Sequence, residues 1–190
     1  MPMKLFSGAL MLAIFMAACT QQDKKEAEKK EAPPVAVAAT GNLADHVLNQ
    51  YMQLKDALVS DSAVQATDAA KKLVESCNPD SAQIKLYPAE QQTAFINLCR
   101  EVQSRATGLS SAPELNMKRT IFREMTASVR RLTENFGSGK NTVYQQYCPM
   151  AFDNTGASWL SMDSKIRNPY LPKTMPKCGR IEDTLKQAIK

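Results

Sequence analysis

The chain has 190 residues, 44% hydrophobic and 23% charged, with one histidine, five cysteines, ten methionines and a formal net charge of +5. That balance is mild and its basic residues are mixed with acidic ones, so the clustered Lys/Arg stripe of a nucleic-acid binder is missing and no nucleic-acid partner is expected. One histidine and no Cys-x-x-Cys exclude a histidine-based zinc site and thioredoxin-type chemistry, and with no phosphate-binding glycine loop the chain reads as a binding protein, not an enzyme.

Lys4 supplies a short positive segment, and residues 5–15 form an apolar run of signal-peptide length. That run is shorter than the ~20 apolar residues needed to span a bilayer. It ends in Met16-Ala17-Ala18-Cys19, which resembles a bacterial lipobox with Met16 where Leu is usual. The resemblance implies loss of residues 1–18, a diacylglyceryl thioether on Cys19, and an exported lipoprotein held to the periplasmic side of a membrane or to the cell surface. An ordinary secretory signal with an incidental cysteine is the competing reading. Residues 19–42 are built from Gln, Lys, Glu, Ala and Pro without an aromatic side chain, a composition that reads as a flexible tether.

Residues 43–137 carry helical periodicity. Val47, Tyr51, Leu54 and Leu58 form the first stripe, opening near Asn42 or Asp45. Ala63, Ala66, Ala70, Leu73 and Cys77 form the second, capped by Asp61 or Ser62 and stopped by Asn78-Pro79. A third helix is expected from about Pro88 to Ala106, with Phe95, Leu98 and Val102 inward and Gly108 as its stop. Ser111 and Glu114 have capping-box spacing ahead of a fourth helix, whose stripe is Ile121, Met125, Val129, Leu132 and Phe136 and whose stop is Gly137. Met52, Met117 and Met125 read as core filler, and His46 as a surface residue. Short connections make this an all-α chain, an up-down-up-down four-helix bundle.

Residues 138–190 form a different, irregular lobe. Pro149, Pro169, Pro172 and Pro176 break long helices, while Tyr144-Gln145-Gln146-Tyr147 and Ala157-Ser158-Trp159-Leu160 suit a short β-hairpin around Asp153-Asn154-Thr155-Gly156. A last short helix is expected over residues 181–189. The lobe concentrates sulfur: Cys148-Pro149-Met150 precedes the only tryptophan, Trp159, and Met175-Pro176-Lys177-Cys178 follows it. Thiolate and thioether donors favour Cu(I) and related soft ions over hard ones. Residues two apart in an extended chain face the same side, so Cys148 and Met150 can aim at one point, and a single turn joins Met175 to Cys178. Trp159 and Met162 are the expected neighbours of such a site. On spacing alone a Cys148–Cys178 disulfide comes ahead of a metal site, since neither Cys-x-Met nor Met-x-x-Cys is a specific motif; it would close a loop of about 30 residues and contribute roughly 3–4 kcal/mol.

Several stretches resemble a bacterial domain-of-unknown-function family. They are Tyr147-Cys148-Pro149-Met150-Ala151, Gly156-Ala157-Ser158-Trp159-Leu160-Ser161, Ile166-Arg167-Asn168-Pro169-Tyr170 and Met175…Cys178-Gly179, with Tyr51-Met52-Gln53-Leu54 and the helix over residues 119–136 matching its first half. That family is found in stand-alone exported proteins and appended to periplasmic adaptors of copper/silver RND efflux systems. The resemblance implies heavy-metal handling, Cu(I) or Ag(I), with Cys148, Met150, Met175 and Cys178 at the matching positions and an efflux adaptor or metallochaperone as partner. The chain departs from the family at Leu171-Pro172, where Phe-Gly is frequent.

Cys77 and Cys99 stand apart from that motif. A simple hairpin of the second and third helices sets them about 16 Å apart along the axis at 1.5 Å per residue, beyond the ~7 Å over which Cα atoms can be bridged. Both readings stay open: two buried thiols, or a disulfide if the segment between them folds back.

The lipobox reading predicts that the intact mass of the membrane fraction shows loss of residues 1–18 plus acyl chains, and that Cys19→Ser is soluble or uncleaved. Wild-type protein with Cys19 as a free, lipid-free thiol would contradict it.

Overall fold

The first stripe becomes helix α1, Leu43–Val59, in the computed structural model, which describes residues 43–78 and 81–185. The signal segment, Cys19 and the tether lie outside those residues. Val47, Tyr51, Leu54 and Leu58 are all fully buried. Helix α2, Ala63–Ser76, is capped by Ser62, whose Oγ accepts from the Gln65 N–H at 3.3 Å, while Asp61 takes a left-handed φ of 55° in the turn before it. A 3-10 turn, Ala82–Leu86, leads into α3, Ala89–Ser111, and α4 follows at Leu115–Phe136. Consecutive helices pack on one another, and α4 also meets α1.

Two boundaries differ from expectation. Helix α3 continues past Gly108 to Ser111, because nothing at Gly108 demands a positive φ. It ends where Pro113 forces Ala112 into an extended conformation (φ −64°, ψ 128°). Ser111 therefore closes α3, donating to the Thr107 carbonyl at 3.1 Å, and does not cap α4; Glu114 holds the cap position without a side-chain bond. Met117 is the third correction. It is 49% exposed, because the neighbouring Lys118 takes the inward position and donates Nζ to the Leu109 carbonyl at 2.8 Å.

Beyond α4 lies a three-stranded antiparallel sheet in the order β2-β1-β3, built from β1 Val143–Cys148, β2 Ala157–Ser161 and β3 Arg180–Leu185. The hairpin expected from sequence is present, with Gln146 opposite Trp159 and Cys148 opposite Ala157. The expected last helix is a strand over its described part: Val143 pairs with Leu185 and Gln146 with Ile181. Positions four apart share a face in both periods, so Ile181 and Leu185 looked helical, but the open edge of β1 needs a partner for its N–H and C=O groups. The chain as described is thus mostly helical with a small C-terminal sheet.

Three side chains tie sheet to helices. Tyr51 of α1 donates to Thr126 Oγ1 of α4 at 2.8 Å, since that hydroxyl itself donates to the Phe122 carbonyl, and the Tyr51 oxygen accepts the Leu160 N–H of β2 at 3.2 Å. Tyr170 donates to the Ser158 carbonyl at 2.6 Å and packs against Phe122, Phe152 and Trp159. Arg119 of α4, buried, donates Nε to the Pro169 carbonyl at 2.9 Å and pairs with Asp61 at 2.5 Å.

Lys173 and Arg119 hydrogen-bond the Asp61 carboxyl and hold it below the usual carboxylate range. Its contribution is fully present above the ordinary value of about 3.9 and is lost as pH falls through the lower folded-state value. Arg119→Ala should cost about 2 kcal/mol at pH 7, as loss of a charged hydrogen-bond donor does. Urea unfolding should show that gap narrowing in acid, and a gap constant down to pH 2 would contradict this role for Asp61.

Candidate metal centre

Alternation along β1 sorts the lobe into two faces. Gln145 and Tyr147 turn toward α4, where they line a cleft of about 410 Å³ with Arg123, Arg130 and Ser158. Gln146 and Cys148 turn the other way, toward the loop of residues 162–179 that joins β2 to β3. Gln146 Nε2 donates to the Asp163 carbonyl of that loop at 2.8 Å, and Cys148 Sγ meets Cys178 Sγ at 2.9 Å. Cys148 is buried and Cys178 is half-buried, so the pair is exposed to solvent only on the Cys178 side.

The two methionines lie beside this pair in the chain and at the surface, Met150 42% and Met175 40% exposed. Met175 is linked to Cys178 by a turn in which the Cys178 N–H donates to the Met175 carbonyl at 3.0 Å. The Met150 backbone N–H points at the Cys178 sulfur. The hydrogen bond to the Cys148 thiol, then burial, raise the Cys178 thiol above its ordinary value, and the Met150 N–H opposes them. Among the described residues no cluster of three or more His, Cys, Asp or Glu is placed to hold a metal. A soft ion at the two thiols would therefore take any further protein donors from thioether sulfur.

Asn168 holds the loop in this shape. It is fully buried, and its Oδ1 accepts the N–H groups of Tyr170 and Leu171 at 2.8 and 3.0 Å. Its Nδ2 donates to the Cys178 carbonyl at 3.0 Å and its backbone N–H to the Pro176 carbonyl at 3.0 Å. One side chain thus clamps both ends of the excursion that carries Met175. Leu171-Pro172 does not prevent this, because the Met175 N–H still reaches the Leu171 carbonyl at 2.9 Å. Gly179 completes the fit. Its φ is 145°, and a Cβ there would lie 3.0 Å from both the Trp159 ring and the Tyr147 carbonyl.

Trp159 is fully buried on the same face as Cys148, across from Gln146 and diagonal to the cysteine. Its ring lies beneath Gly179, which makes it the floor of the thiol site. Met162 is far from it. It follows Ser161, which pairs with Tyr144 at the opposite end of the hairpin, about 14 Å from Ala157 at 3.4 Å per residue. Sequence reading missed Asn168 and Gly179 as site residues. Asn168-Pro169-Tyr170 and Cys178-Gly179 stand in the motif stretches, but only the fold shows what those residues hold. His46 is exposed on α1, and Cys77 and Cys99 lie buried in the helical core.

Residues 47–141, half of the chain, match the family described as a protein of unknown function, DUF3347. The match runs from α1 through α4 and stops before Cys148, and the chain belongs to this family. Searches of curated proteins and of solved structures returned no significant match.

With its thiol raised, Cys178 should react slowly with iodoacetamide at pH 7, the rate climbing only above the ordinary thiol value of about 8.5. Half-buried Cys178 should label before buried Cys148. Fast labelling at neutral pH, or Cys148 labelling first, would contradict this geometry.

Proposed function

On the premise of that family membership, we propose that the protein is an exported, lipid-anchored binding protein for Cu(I) or Ag(I), and not an enzyme. The observation that carries this reading is the 2.9 Å approach of Cys148 Sγ and Cys178 Sγ beside two methionines, each about 40% exposed. Two thiolates supply charge and strong soft donors, while Met150 and Met175 supply thioether sulfur at the rim. Binding releases the thiol protons, so affinity falls in acid. Trp159 floors the site, and Lys177 and Arg180 flank Cys178 in sequence, two cations for the negative charge that a dithiolate–Cu(I) centre carries.

The anchor rests on the Ala17-Ala18-Cys19 signature and the sulfur motif on its resemblance to domains appended to copper/silver efflux adaptors. Together they support a role in sequestering the ion or passing it to an efflux adaptor or metallochaperone. For the fold, the ring of contacts α1–α2–α3–α4–α1 supports an up-down-up-down four-helix bundle carrying the lobe. A structural Cys148–Cys178 disulfide is the second reading, favoured by the same close approach of the sulfurs.

Cu(I) titration of the reduced protein should saturate at about one equivalent, with Zn²⁺ competing poorly because thioethers are poor ligands for it. Cys148→Ser and Cys178→Ser should each lose most of the affinity. Met150→Leu and Met175→Leu keep the apolar volume and remove only sulfur, so they should weaken binding while leaving stability nearly unchanged. If both cysteine variants are unstable and both methionine variants bind like wild type, the staple replaces the metal site.

A further inference from the structure

A second pair of thiols lies in the helical core, away from the candidate metal centre. Cys77 caps the end of α2 and Cys99 lies in the third turn of α3; both are fully buried. A plain hairpin would leave them far apart along the axis. The fold removes that offset, because the connection after α2 runs back along α3 through the 3-10 turn Ala82–Leu86. Tyr87, just past that turn, stacks on Phe95 at 4.8 Å between ring centroids.

An independent bond fixes the register. Gln103 Nε2 of α3 donates to the Val74 carbonyl of α2 at 3.3 Å. Val74 is about one turn before Cys77 and Gln103 about one turn after Cys99, so in an antiparallel pair the two steps cancel and Cys77 falls beside Cys99. Packed helix axes lie about 8–10 Å apart and each Cα cylinder has a radius of about 2.3 Å, which leaves facing Cα atoms about 3–5 Å apart at closest approach. Bridgeable Cα atoms lie at about 4.4–6.8 Å. The neighbouring Cys99 thiol, then burial, raises the Cys77 thiol above its ordinary value, as a close partner does.

We infer that Cys77 and Cys99 are joined by a disulfide in the exported protein, a covalent clamp between α2 and α3 that closes the loop containing the 3-10 turn. The oxidant is a protein disulfide of the export compartment. Cys77 and Cys99 together give up two protons and two electrons; one S–S bond forms between them, and the oxidant's S–S bond becomes two thiols by way of a mixed disulfide. Full burial sets the order of events. The exchange takes place before the core closes, and afterwards a reductant in solution cannot reach the bond without unfolding the helices. Half-buried Cys178 leaves the outer pair reachable in the folded protein.

The test uses the full chain recovered from its exported location and unfolded directly in alkylating agent without reductant. Cys77 and Cys99 should be unlabelled, and a protease digest should contain their two peptides linked and two hydrogens lighter than the separate thiols. Reductant applied to the native protein before alkylation should leave that link in place, whereas reductant applied after unfolding should release it. A Cys77→Ser variant should expose Cys99 as a labelled thiol. Alkylated Cys77 and Cys99 in the unreduced wild-type protein, or either one linked to Cys148 or Cys178, would overturn the inference. Peptide mapping reports on these residues alone, so neither result depends on whether the outer pair binds Cu(I).

Discussion

Asn168 is a short polar side chain with no route to water, and the geometry of the thiol site depends on how it is satisfied. Its carbonyl oxygen accepts two backbone N–H groups on one side and its amide donates to the Cys178 carbonyl on the other. A buried amide left unpaired costs about 1–3 kcal/mol per lost partner, so the loop of residues 162–179 has one conformation that pays for every bond at once. That conformation brings Cys178 onto Cys148.

The clamp is itself mounted on the helices. The residue after Asn168, Pro169, gives its carbonyl to Arg119 of α4, and the next, Tyr170, fills the space between Phe122, Phe152 and Trp159. Asp61, at the turn between α1 and α2, pairs with both Arg119 and Lys173 of the loop. The helices therefore brace the loop that carries Cys178, through Arg119, Asp61 and the rings around Tyr170. Arrangements of this kind suit a site that must keep soft donors at a fixed separation while leaving one side open to exchange.

How much of this was legible in the chain follows from the range of each interaction. The helical stripes were readable because burial repeats at a fixed local period, and Val47, Tyr51, Leu54, Leu58, Val129 and Leu132 are all fully buried. Ends of elements were less readable: Pro113, by its effect on Ala112, decided the end of α3 where Gly108 had seemed to. Strand β3 was misread as helix because Ile181 and Leu185 satisfy both periods, and only the unpaired edge of β1 chooses between them. Cys148 and Cys178, which composition and spacing single out, approach to 2.9 Å. The clamp by Asn168 and the fit of Gly179 over Trp159 were not legible, since each joins residues whose proximity exists only after the sheet has formed.

Two close thiols can hold a soft ion or each other, and the thioethers of Met150 and Met175 distinguish the outcomes, because a disulfide has no use for them. The most direct measurement is X-ray absorption at the copper edge on the reduced protein loaded with one equivalent of Cu(I). The account predicts a first shell made only of sulfur, reduced in number when Met150 and Met175 are both replaced by leucine and abolished as a defined site when Cys148 and Cys178 are both serine. A shell containing nitrogen or oxygen, or one unchanged by the methionine substitutions, would contradict it.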